Sequence, residues 1–194
     1  MLLSSFRGFA LSLVFSFAMG SAAQFPLPLN RVEQDTKAEQ IRELVSKYCR
    51  LDYEGARLDP QAWTKFQSLA WWKTNPDYTQ IDIVSHYTVE TAPVLAHGKY
   101  TVKVHYRVLG RFETGIGYTP EAAKSDEDVE YTVTAVNDEW RINDADPNFP
   151  HPSRAAMLKW LNDKISTTQD ASAKNIYQEA LRLLQAQSGS PFAK

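Results

Sequence analysis

Between Tyr100 and Val108 the chain alternates without a break. Tyr100, Val102, Val104, Tyr106 and Val108 are apolar, and Thr101, Lys103, His105 and Arg107 stand between them. Side chains on a strand point to opposite faces with a period of two, so this run specifies a strand with one buried and one wet face. Such a strand is stable only beside others, in an antiparallel sheet whose apolar face is covered. The chain supplies the neighbours. From Thr79, Ile81, Ile83, Tyr87 and Val89 alternate with Asp82, His86 and Glu90. Val129, Tyr131, Val133 and Ala135 form a third strand, and the turn signal Asn137-Asp138 leads to a fourth that begins with Trp140 and Ile142. Pro93, His97 and Gly98 mark a connection, and Gly110 predicts a bulge or bend before Phe112. Residues 114–127, with Gly115, Gly117, Pro120 and several charges, read as an exposed connection.

The covering elements show the helical period. Thr36 and Glu39 have capping-box spacing, which starts a helix near Thr36. Ile41, Leu44, Val45, Tyr48 and Leu51 give it one apolar face, and Gly55 terminates it. Asp59-Pro60 opens a shorter helix whose buried side is Trp63, Phe66 and Leu69. A rigid loop over 143–152 contains Pro147, Pro150 and Pro152. A third helix from Ser153 carries Met157, Trp160, Leu161 and Ile165. After a polar break at 167–170, a last helix from Ser172 to Gln187 carries Ile176, Ala180, Leu183 and Leu184. The sum is an α+β fold with helices on one face of an antiparallel sheet.

The first 23 residues have a different character. Arg7 precedes an apolar stretch from Phe9 to Met19, and Ser21 and Ala23 are small, which is the order of a secretory signal cleaved before Gln24. The apolar stretch is short of the roughly 20 residues that span a bilayer, so no stable membrane anchor is expected after cleavage. The product is placed outside the cytoplasm, periplasmic or secreted. Division along the chain is then 1–23 signal, 24–35 extended lead-in, 36–166 main domain, and 167–194 C-terminal helix and tail. Removing the signal leaves about 170 residues, enough for one domain with a real core.

Composition removes several classes of function. With 21 Lys and Arg against 23 Asp and Glu, the net charge of −2 offers nucleic acid no basic surface. An apolar fraction of 43% excludes a disordered chain. Cys49 is the single cysteine, so no intrachain disulfide forms. Its neighbours Tyr48 and Leu51 favour a packing role over an interchain bridge or a nucleophile.

The long first helix ending in Leu51-Asp52-Tyr53-Glu54-Gly55, the short helix through Trp63 and Phe66, and the closing strand Glu139-Trp140-Arg141-Ile142 resemble the nuclear transport factor 2-like superfamily. The matching stretch runs from about Glu39 to Asp144. The resemblance implies a cone: a strongly curved sheet wrapped on a helix, with a pocket at its open end. It implies no particular reaction, since one fold hosts many functions.

Candidate site residues follow from the faces. Tyr87, Tyr106 and Tyr131 lie on the apolar faces of three successive strands, and with Trp140 and Asp144 they outline an aromatic-walled pocket for a small ligand. The competing reading makes the tyrosines core aromatics. Asp144 and Asp146 near His151 offer proton transfer or a metal site, but Asp-Ala-Asp-Pro is also ordinary turn chemistry. His86 and His105 lie on polar strand faces. No zinc spacing, phosphate loop or nucleophile elbow is present, so no metal or cofactor is expected. The expectation is non-enzymatic binding of a small apolar or aromatic ligand. The alternatives are an acid–base isomerase or dehydratase, with Asp144 as base and a tyrosine as donor, and a homodimeric interaction module.

Overall fold

A computed structural model describes residues 31–74, 78–91, 93–143 and 149–187, with backbone alone at 31, 32 and 122–124. The expected signal at 1–23, the start of the expected lead-in, and Asp144 and Asp146 lie outside the described residues.

Helix α1 runs Arg31–Tyr53, so it starts ahead of Thr36 and the lead-in is not extended over its last residues. Nothing from Arg31 to Thr36 is Gly or Pro, and residues 33–36 project into solvent, where helix is tolerated without packing. Burial begins at Ile41 and continues through Val45, Tyr48, Cys49 and Asp52. Gly55 ends the helix with φ 84°, and a Cβ there would lie 2.8 Å from the Ala156 side chain, so both its backbone and its surroundings require glycine. Two 3₁₀ segments follow, Ala56–Leu58 and Pro60–Lys65, the second capped by Asp59, whose carboxylate accepts the Gln61 amide.

The sheet contains β1 (Gln80–Val89), β2 (Val94–Ala96), β3 (Lys99–Glu113), β4 (Gly117–Val136) and β5 (Glu139–Ile142). Every pairing is antiparallel, in the order β1-β3-β4-β5, with β2 beside β3 across the His97-Gly98 turn. It is strongly curved, and with the helices it makes an α+β half-barrel.

The expected exposed connection at 114–127 is a correction: most of it belongs to β4, which pairs with β3 on both sides of a bulge. Glu121 and Glu127 are half-buried within it, and Pro120 sits opposite Gly110, where the ladder is already interrupted. Gly110 is required there, because a Cβ would run into the Tyr118 ring.

The bulges at Ile83/Val84/His86 in β1 and Val108/Gly110 in β3 exchange the two faces of the sheet. Beyond them Val84, Val104, Tyr106, Val108, Tyr131 and Val133 join a core with Ile41, Val45, Tyr48, Cys49, Trp63 and Phe66. Before them Ile81, Ile83 and Phe112 join a second core with Met157, Leu161, Ala180 and Leu184. These last belong to α2 (Arg154–Thr167, capped by Ser153) and α3 (Ala171–Ala186, capped by Asp170). Helices therefore cover both faces, and α3 is part of the packed body. Both outer strands are closed. Asp82 and Val84 of β1 donate their amides to Pro150 and Pro152, and Ile142 of β5 exchanges hydrogen bonds with Leu69 and Trp71.

Candidate functional site

The pairing of the Pro150–Ser153 segment with β1 determines what the interior contains. It carries His151 inward, where the residue is 1% exposed and its ring lies flat on Tyr106, centroids 4.0 Å apart and planes at 14°. Its backbone amide donates to the Asp52 carboxylate at 3.0 Å, and its Nδ1 lies 3.7 Å from the same oxygen. Asp52 also faces the buried Arg57 at 3.7 Å, and Arg57 donates to the Phe149 carbonyl. The end of α1, the first 3₁₀ turn and residues 149–153 are thus joined through charged groups away from water.

Asp82 is a second correction. Alternation placed it on the wet face of its strand, yet it is fully buried. Its cross-strand partner is Arg111, whose Nε donates to it at 2.8 Å, and Gln80 donates as well. Glu127 pairs across the ladder with Tyr106 and so shares the face on which His151 stacks. One ligand atom from each of Asp82, Glu127 and His151 lies within 4.8 Å of the others. Burial, then the charge of Asp82, raises the Glu127 carboxyl above the usual carboxylate range, while His151 and Arg111 pull the other way. Both ring nitrogens of His151 lack a hydrogen-bond partner among the described residues.

The tyrosines converge, but inside the core. The hydroxyls of Tyr106 and Tyr131 are 2.9 Å apart, and Tyr106 lies 3.2 Å from Cys49 Sγ. Burial pushes both phenols well above their usual range, and it pushes the Cys49 thiol up to about 12. Cys49 is therefore a packed thiol with no surface for an interchain bridge. Tyr87 differs: it is half-buried, with its ring 6.0 Å from Tyr106 on one side and 5.5 Å from the half-buried Tyr53 on the other. Trp140 is separate, packed edge-on against Tyr100 at 5.4 Å. Tyr100 stands about 20 Å along β3 from Tyr106 at the strand rise. Asp144 lies outside the described residues.

A groove of about 690 Å³ opens elsewhere, between residues 54–65 and α2, with Asp59, Lys65, Lys159 and Trp160 in its walls. None of the sequence-derived site residues lines it. On the outer face of the sheet, His105 is bracketed by Asp128 at Nδ1 (2.6 Å) and Glu90 at Nε2 (3.1 Å), an exposed ion-pair network. His86 is exposed beside Ser85.

The sequence reading missed Asp52, Arg57, Asp82 and Glu127. Asp52 carried a signal, a carboxylate among apolar residues one turn before a helix-ending glycine. Asp82 and Glu127 carried none, because each reverses its face only through the bulges and the added Pro150–Ser153 segment.

What fold and site define together is a curved-sheet α+β protein with a buried carboxylate–imidazole centre. No family model matches this chain, and no curated protein or solved structure gives a significant match.

Proposed function

We propose that this is an exported binding protein of the cone-shaped, nuclear transport factor 2-like class that holds a small aromatic or apolar ligand against Tyr53 and Tyr87. One observation carries the reading. Tyr53, Tyr87, Tyr106 and His151 form a continuous run of ring contacts whose inner two members are sealed and whose outer two are half-open. A flat ligand extends that run at its open end, with ring contacts worth about 0.5–1.5 kcal/mol each beyond the area covered. The interior at Tyr106 and Tyr131 is the wall behind the site, because their hydroxyls already satisfy each other and Cys49. Binding is favoured over turnover for the same reason: neither buried phenol is placed to donate to a substrate.

The test is thermal unfolding of the purified protein with indole, 1-naphthol and 8-anilinonaphthalene-1-sulfonate, compared with Tyr87→Ala. A ligand at 100 times its Kd raises stability by about 2.7 kcal/mol, which is about 5–11 °C for a domain of this size. The rise should be absent in Tyr87→Ala. A midpoint unmoved by all three probes at millimolar concentration, or moved equally in the variant, overturns the proposal.

A further inference from the structure

We propose that Asp82, Glu127 and His151 form a binding site for one divalent transition-metal cation. The proposal does not depend on the aromatic-ligand reading. Its basis is the convergence of two carboxylates and an imidazole from three separate segments, β1, β4 and the Pro150–Ser153 segment.

His151 makes the cluster more than a meeting of acids. A buried imidazole ordinarily gives one nitrogen a donor role and the other an acceptor role, and leaving either unmet is unfavourable. Here neither nitrogen has a hydrogen-bond partner among the described residues, and the side chain is 1% exposed. A metal ion satisfies one nitrogen directly. Nδ1 lies 3.7 Å from the Asp52 carboxylate, beyond hydrogen-bond distance, and a small closure of that gap would let the carboxylate orient a metal-bound histidine. Asp82 accepts from Arg111 and Gln80, and Glu127 stands beside it as a half-buried carboxylate whose ligand atom falls in the same region.

His105 supplies the contrast. It also has two carboxylates, but each takes a different nitrogen, Asp128 at Nδ1 and Glu90 at Nε2. The acids stand on opposite sides of the ring and define no common point for an ion. At His151 the three ligand atoms share one region within 4.8 Å. Ligands around a tetrahedral ion at about 2.0–2.2 Å are roughly 3.3 Å apart, so binding would contract the cluster by an ångström or so. The half-buried Glu127 is the group free to make that movement. Imidazole with two carboxylates suits Zn²⁺, Co²⁺ or Mn²⁺ better than Mg²⁺ or Ca²⁺, which take oxygen ligands.

The experiment uses purified protein stripped with a chelator, titrated with Zn²⁺ by calorimetry and with Co²⁺ by visible absorption. The expected result is one ion per chain, Co²⁺ ligand-field bands, and a higher melting temperature with Zn²⁺. Glu127→Gln and His151→Asn should each weaken Zn²⁺ binding at least as much as losing an outer-sphere partner, roughly 10–100-fold. His105→Gln should leave it unchanged. If His151→Asn does not fold, the half-buried Glu127→Gln decides. No uptake by the stripped protein, undiminished uptake in Glu127→Gln, or loss of uptake in His105→Gln overturns the proposal.

Discussion

The carboxylate of Asp52, near the end of α1, accepts the backbone amide of His151 at 3.0 Å across 99 positions of sequence. The same oxygen is 3.7 Å from the Arg57 guanidinium, and both side chains are 1% exposed. This places a buried charge pair at the junction of α1, the first 3₁₀ turn and the segment bound to β1. Breaking a buried pair by removing one partner is severe, because the remaining charge stays desolvated.

Asp52→Ala should therefore destabilise the protein by about 3–5 kcal/mol in urea unfolding. Asp52→Asn, which also leaves Arg57 without its carboxylate but retains an acceptor for the His151 amide, should lose less than Asp52→Ala by about 1–3 kcal/mol, the cost of leaving that buried amide unmet. Equal losses in the two variants would mean that the hydrogen bond to the His151 amide contributes nothing beyond the charge on Asp52.

That junction also marks where the sequence stops being informative. Periodicity locates α1, the 3₁₀ segment capped by Asp59, β3, the closing hairpin, α2 and α3, because each has an apolar face with its own period and ordinary caps. The bulge at Gly110 is legible for the same local reason. The first half of β4 is not, since its signal is pairing with β3 and its composition is that of a loop. Asp82 and His151 are illegible for a related reason. Their burial follows from a bulge that exchanges faces and from the binding of Pro150–Ser153 along the open edge of β1, both long-range events. Tyr106 and Tyr131 are legible as neighbours because simple alternation survives through both strands at that point.

The His105 network gives a pH dependence of determined sign. The hydrogen bond that the imidazole donates to the Asp128 carboxylate, with smaller help from Glu90, raises His105 above its ordinary 6.5. A group whose pKa is raised by folding contributes stability that is complete below its unfolded value and is lost as pH rises through the folded value. Wild type should therefore melt above His105→Gln at about pH 5.5, and the gap should close by about pH 9. Because the network is exposed, added salt should shrink the gap at the lower pH. A gap that widened with pH would contradict the assignment.

The hydroxyl chain through Tyr131, Tyr106 and Cys49 has a direction that mutation can read. Tyr106 lies within reach of both other groups, at 2.9 Å from the Tyr131 hydroxyl and 3.2 Å from Cys49 Sγ. If Tyr106 donates to the sulfur, Tyr131 donates to Tyr106, and the two phenols are not equivalent. Tyr106→Phe then removes the acceptor for a fully buried Tyr131 hydroxyl and should destabilise by about 1–3 kcal/mol. Tyr131→Phe leaves Tyr106 with its sulfur acceptor and should lose only about 0.5–1.5 kcal/mol. The double variant leaves neither phenol to be satisfied, so it should be less destabilised than the sum of the singles, with a coupling of about 0.5–3 kcal/mol. Equilibrium unfolding of the four proteins measures this cycle. A larger loss in Tyr131→Phe than in Tyr106→Phe would reverse the donor order, and strict additivity would mean that the hydroxyls share no hydrogen bond in solution.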